Sequence, residues 1–313
     1  MSSATVFAND VGAQTIDIAA KGDVVFVVGT DRRRLKVYSI FVMTASPVFN
    51  AMLGPNFMEG HRLIRSGQTE VELPEDNADA MEIVLNVIHG RNDRVQRTLS
   101  PGEVLKVAVI SDKYDCSTSL AFAIRTWLDD YTSTTDPGEM WILAMAALAL
   151  SKQDEFAKMT SALVFHHAGS YLGFIKEDDG KPSLEVQLKT AVLLEEARNS
   201  LRMKLVKDVL QSDWDCSSTS KKKHKAKWPS AFANLAENFG QTAISSILEA
   251  LEQGKEETPL DIWSGSDPVE MDSIFRSISH NCRAQHEKNG GLCLWCVRTE
   301  TAHDVHTYLA DNS

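Results

Sequence analysis

The chain has 313 residues, 43% of them hydrophobic and 24% charged, a balance that supports a buried core and argues against long disordered tracts as its main feature. Its net charge of -11 argues against broad binding to nucleic acid or to a membrane surface, since both require basic fields. The most apolar stretch, Met140–Leu150, is far shorter than the ~20 residues of a membrane-spanning helix, so it reads as a buried helix.

The opening MSSATVFANDVG lacks the basic and apolar regions of a signal peptide. Ile16 and Ile18 alternate with Thr15 and Asp17, the pattern of a short edge strand. Asp23–Val28 is a β-branched run that reads as a buried strand. Gly29-Thr30-Asp31 is a turn, and Leu35 and Val37 alternate on the far side of it, which predicts a hairpin. Ser46-Pro47 carries the chemistry of a helix start, because serine caps free N–H groups and proline loses nothing at the first position. Val48, Phe49, Met52 and Leu53 give that helix an apolar face, and Gly54-Pro55 ends it.

Thr69–Leu73 alternates again and Pro74 closes the strand. Met81, Val84, Leu85 and Ile88 recur at helical spacing before Gly90. Ser100-Pro101-Gly102-Glu103 is a capping box opening a helix that places Val104, Leu105, Ala108 and Val109 inside. Leu120, Ile124, Trp127 and Leu128 mark a further helix, and Asp136-Pro137-Gly138-Glu139 repeats the start signal. From there only helical periodicity is found, over 139–151, 153–168, 183–211, 230–253 and 267–280. Strands mixed with helices followed by helices alone predict an α+β domain joined to an all-helical C-terminal region.

Several N-terminal segments, in order, resemble a BTB/POZ domain. Gly22-Asp23-Val24-Val25-Phe26 is similar to the family's opening strand. Ala45-Ser46-Pro47-Val48-Phe49-Asn50-Ala51-Met52-Leu53, followed by Gly54-Pro55-Asn56-Phe57-Met58-Glu59-Gly60, resembles the form common in fungal members. Val71–Asp76 and the helix to His89-Gly90 match the next strand and helix, and Ala108–Cys116 resembles the family's A-D-K-Y segment. The expected organisation is an N-terminal extension over 1–20, a BTB/POZ domain over 21–131, a helical region over 137–280 with a basic loop at 217–229, and a Cys/His-containing tail over 281–313.

The resemblance implies a protein-interaction module or scaffold rather than an enzyme. It leaves open a substrate receptor of a cullin-type ubiquitin ligase and a nuclear regulator that assembles through its BTB domain. Cullin-binding members carry a hydrophobic-x-Glu element after the second helix, and Phe57, Met58 and Glu59 fit it. The bland alternative packs Phe57 under its own loop and leaves Glu59 solvated. Members of the family often carry His followed by Lys or Arg after the second strand, and in dimeric ones the basic residue helps neutralise the aspartate equivalent to Asp23. Here the positions are Tyr38 and Ser39. The expectation is an Asp23 without that partner, which weakens the inference of a homodimer.

Five cysteines, an odd number with Cys116 and Cys216 isolated, do not read as a secreted disulfide framework. The expectation is an intracellular protein, cytoplasmic or nuclear. In the tail, Cys282, His286, Cys293 and Cys296 have ligand types and spacing suited to one structural zinc ion, with His303 as the other choice of fourth ligand; free thiols on an amphipathic terminal helix, or a redox disulfide, are the alternatives. Lys221–Lys227 carries six basic residues in seven if His224 is counted, and reads either as a nuclear import signal or as a solvated loop. No G-x-G-x-x-G, G-x4-G-K-[ST], H-E-x-x-H or G-x-S-x-G occurs. His166-His167 reads as a capped helix end, and Glu195-Glu196 as an exposed helical face.

Overall fold

In the computed structural model the described residues are 15–131, 134–176, 182–211, 242–253 and the single positions 280, 284, 291, 292, 297 and 298. They divide into two compact units, one ending at Ser133 and the other beginning at Thr134. The first mixes a sheet with helices and the second is predominantly helical.

The first unit is built on four strands: β1 (Thr15–Asp17), β2 (Val24–Val28), β3 (Arg33–Val37) and β4 (Thr69–Leu73), in the order β1-β3-β2-β4. β2 and β3 form the expected antiparallel hairpin, β4 runs parallel to β2, and β1 lies parallel to β3 at an edge. The register puts Phe26 opposite both Leu35 and Val71. One face is therefore continuous from Val24, Phe26 and Val28 to Leu35, Val37, Val71 and Leu73, all buried. Burying each such side chain contributes about 1.5–3 kcal/mol. The other face is held by ion pairs across β2: Arg34 with Glu70, and Arg32 with Glu72 at 2.9 Å.

Helices α1 (Ser39–Ala45), α2 (Pro47–Met52), α3 (Met58–Ser66), α4 (Ala78–Ile88), α5 (Pro101–Lys113) and α6 (Ala121–Asp129) complete this unit. The cap signals work as their chemistry predicts. Ser46 accepts from the Phe49 N–H, Asn77 from that of Ala80, and Ser100 with Glu103 closes a full capping box. Phe49 meets Phe26 at 5.0 Å between ring centroids and stacks on Tyr114 at 4.3 Å, which ties α2 to the sheet and to the end of α5. Beside them the buried Asp76 carboxylate accepts from Lys113 Nζ at 2.6 Å and from the Tyr114 hydroxyl at 2.5 Å. Burial and that bond both raise the Tyr114 pKa.

Three readings of this unit change. α1 and the helical start at Met58 are not marked by any local cap signal, and the Phe57–Glu59 segment is a helix entry rather than a loop. α5 is buried on more than one face: Val107 and Ile110 lie inside while Val109 is half-buried. Its neighbours α4 and α6 both pack on it.

The second unit contains α7 (Pro137–Ala149), α8 (Gln153–His166), α9 (Leu184–Gln211) and α10 (Ile244–Gln253), with a 3-10 turn at Tyr171–Phe174. Every residue from Met140 to Leu150 except Ile142 is buried, as its apolar composition requires. Asp136 caps Glu139, but the Glu139 carboxylate bonds Thr134 instead of returning to the cap. Glu195-Glu196 is not simply an exposed face: Glu195 is half-buried and holds Arg198. The expected helix over 267–280, apart from residue 280, and the first half of that over 230–253 fall outside the described residues.

Candidate interaction surface

Phe57 and Met58 stand at the N-terminus of α3 and are 50% and 63% exposed, large apolar side chains left in solvent. Phe57 is the N-cap residue, with extended backbone and no side-chain cap bond. Its carbonyl accepts from the His61 N–H at 3.0 Å, and its own N–H donates to the Gly54 carbonyl at 3.4 Å. Two turns of backbone thus fix where the ring emerges. Gly60 is buried against this turn so closely that a Cβ there would overlap the Gly54 carbonyl oxygen. The spacing Gly54-x-x-Phe57-x-Glu59-Gly60 is therefore a close backbone approach that presents Phe57 and Met58 outward. Glu59 lies in the first turn of α3, where a carboxylate suits the positive end of the helix. Ile64, further along α3, is exposed as well.

A second apolar area lies on α1, where Ile40 and Phe41 are both exposed. The Phe41 ring sits 5.1 Å from that of His89. His89 is fixed from both sides: Nε2 accepts the Tyr38 backbone N–H at 3.1 Å, so Nδ1 carries the proton and donates to the Leu85 carbonyl at 2.8 Å. Burial lowers the His89 pKa, and a neutral ring is what this pair of bonds requires.

The expectation that Asp23 lacks a partner is overturned. Ser39 donates its backbone N–H to Oδ1 at 2.7 Å and its hydroxyl to Oδ2 at 2.6 Å. Asp23 is also only half-buried. The serine that replaces a basic residue meets the carboxylate by hydrogen bonding, so no desolvated charge is left without a partner. Beside it, a hollow of about 360 Å3 is lined by Asp23, Lys36, Arg62, Ser66, Thr69 and Glu70 among others. Both signs of charge line it, and the Thr69 hydroxyl is buried there without a hydrogen-bond partner.

The structure does not bring the other expected site residues into view: Cys282, His286, Cys293 and Cys296 lie outside the described residues, as do Lys221–Lys227. Among the described residues no group of three or more His, Cys, Asp or Glu side chains could hold a metal ion. Cys116 is a free, buried thiol whose pKa burial pushes up to about 11, which suits packing rather than reactivity. Sequence reasoning missed Ile40, Phe41 and Ile64, whose apolar character is indistinguishable from that of core residues until the helices are placed. It also missed Arg198 and Arg202, read only as part of a long helix.

Compared with known families, residues 19–121 match the model for the BTB/POZ domain, about a third of the chain. No curated protein matches. The chain therefore carries a BTB/POZ domain followed by a predominantly helical region. BTB/POZ domains are non-catalytic scaffolding modules, and the general role of this one is protein–protein interaction. Among the described residues no helix is long and apolar enough to cross a membrane.

Proposed function

We propose that the BTB/POZ domain docks a protein partner through Phe57, Met58 and Glu59 at the start of α3. The observation that carries this reading is the exposure of Phe57 and Met58 on backbone fixed by the Gly54–Gly60 approach. Two apolar side chains in water are costly unless a partner covers them, and a rigid mount keeps the ordering cost of binding low. Glu59 adds a charge beside this anchor, which suits a partner with an apolar pocket edged by a basic residue.

A cullin-type scaffold of a ubiquitin ligase is the partner class we put first to the test, with the helical region then free to hold a substrate. Purified full-length chain is mixed with a cullin scaffold and captured. Retention that is lost on Glu59→Lys and on Phe57→Ala supports the receptor reading, whereas no retention of the native chain removes it and leaves the broader interaction role.

A second reading is self-association through α1, favoured by the exposed Ile40 and Phe41 and by the pairing of Asp23 with Ser39. Light scattering at increasing concentration, with Ile40→Asp as the control, separates it from docking at α3. The nuclear reading rests on Lys221–Lys227; exclusion of the tagged chain from nuclei would remove it. The zinc reading rests on Cys282, His286, Cys293 and Cys296, and metal analysis of the purified chain tests it.

A further inference from the structure

Among the described residues of the helical unit, two buried arginines on α9 stand beside a single acidic partner. Arg198 and Arg202 stand one turn apart on one face of α9, and they are only 3% and 5% exposed. Arg198 is well supplied with acceptors. Its Nη1 donates to the carbonyls of His167 at 3.1 Å and Gly169 at 2.7 Å, and its Nη2 to both oxygens of Glu195 at 2.6 and 2.5 Å. Its guanidinium also lies over the Tyr171 ring, 4.5 Å from the centroid.

Arg202 has much less. Its Nη2 donates to the Thr242 carbonyl at 2.6 Å, and among the described residues no carboxylate pairs with it. The Nε atoms of both arginines are buried without a hydrogen-bond partner, and so is Nε2 of His167. Glu195 thus offers one negative charge to two guanidinium groups. Burial and the like charge of Arg198 both act against the charged form of Arg202. Arginine does not give up its proton in proteins, so the surroundings of Arg202 favour a group of opposite charge.

We propose that Arg198 and Arg202 form a binding site for a small oxyanion, which accepts from their two free Nε–H groups. One Nε–H from each guanidinium suits the separate oxygens of phosphate, sulfate or a carboxylate, all of which accept charge-assisted hydrogen bonds. A monoanion would balance the charge that Glu195 leaves over. α10 begins just after Thr242, so its positive end adds to the same field. The depth of both side chains selects an ion or a small metabolite bearing such a group over a nucleic acid, a choice that the overall net charge of -11 also favours.

The test uses the full chain. Thermal unfolding is followed in inorganic phosphate, in acetate and in chloride at equal ionic strength, and phosphate is titrated calorimetrically into the native protein. The proposal predicts a saturable rise in Tm of several degrees in phosphate or acetate over chloride, and binding near one equivalent; the larger response identifies a tetrahedral or a planar oxyanion. Arg202→Met, close in shape but uncharged, loses the response and melts in chloride no lower than the native chain, because it removes an uncompensated buried charge. Arg125→Met, at an exposed arginine of the other unit, keeps the response. Equal melting in all three salts with no heat of binding would overturn the site, and so would an Arg202→Met chain that responds like the native one. The calorimetric arm decides the matter even if that variant does not fold.

Discussion

Ser39 closes both oxygens of Asp23, with its backbone N–H on one and its hydroxyl on the other, at 2.7 and 2.6 Å. The cap of α1 thus comes from the residue just before β2, and it ties the helix that carries Ile40 and Phe41 to the sheet. Asp23→Ala removes both bonds and uncaps α1, at a cost of about 1–2 kcal/mol. Ser39→Ala removes only the hydroxyl bond and costs about 1 kcal/mol. Urea unfolding of the two variants reads the difference, and equal losses would mean that the backbone bond contributes nothing.

Gly60 packs against the Gly54 carbonyl with no room for a side chain. Gly60→Ala forces α3 away from the turn, with an expected loss of about 1–3 kcal/mol and weaker partner binding through displacement of Phe57. Gly67 ends the same helix at φ +72 with open space around it. Gly67→Ala therefore costs about 1–2 kcal/mol through backbone strain alone and leaves partner binding unchanged.

His89 makes the stability of the first unit depend on pH. Burial lowers its pKa in the folded state, so the unfolded chain binds the proton more tightly. The stabilisation is fully present above the unfolded value of about 6.5 and is lost as the pH falls below it toward the folded value. Protonation would place a hydrogen on Nε2, where the Tyr38 N–H now donates. Urea unfolding between pH 5 and pH 8 should therefore show a decline on the acid side that is shallower in His89→Ala, although that variant is less stable at pH 8. His167, whose pKa burial also lowers, adds a slope of the same sign in the helical unit, which His89→Ala leaves in place.

Asp76 is a buried carboxyl of the first unit, shared between Lys113 and Tyr114. Tyr114→Phe keeps the ring stacked on Phe49 but takes one donor from a carboxylate that is almost wholly enclosed. The expected loss is about 1.5–3 kcal/mol. Lys113→Met should cost less, because the lysine is partly in water and its pairing is screened. Chemical denaturation of the two single variants sets the order, and a larger loss for Lys113→Met would contradict it.

The strands of the first unit were legible because the alternation in Arg33–Val37 and Thr69–Leu73 and the apolar run of Val24–Val28 state which face is buried. The helices opened by Ser46, Ser100 and Asp136 were legible because each carries its own cap. α1 was not, since its cap is Asp23, far away in sequence. The entry to α3 was not, since Phe57 makes no side-chain cap and the meaning of Gly60 depends on where Gly54 lies. The interaction segment Phe57–Glu59 was readable as a motif, but its exposure depends on three-dimensional placement. In the helical region, periodicity revealed the helices but not the polar interior of α9, where Gln187, Thr190, Arg198 and Arg202 are buried at helical spacing. A search restricted to apolar residues passes over such a stripe.

The central claim is that this BTB/POZ domain recruits protein through the start of α3. Affinity purification of the tagged full-length chain from its own cells, with identification of the retained proteins, tests it most directly when run beside Phe57→Asp and Glu59→Lys chains shown to be folded by circular dichroism. At least one protein should be retained by the native chain and lost from both variants. An identical set of retained proteins from all three chains would contradict it.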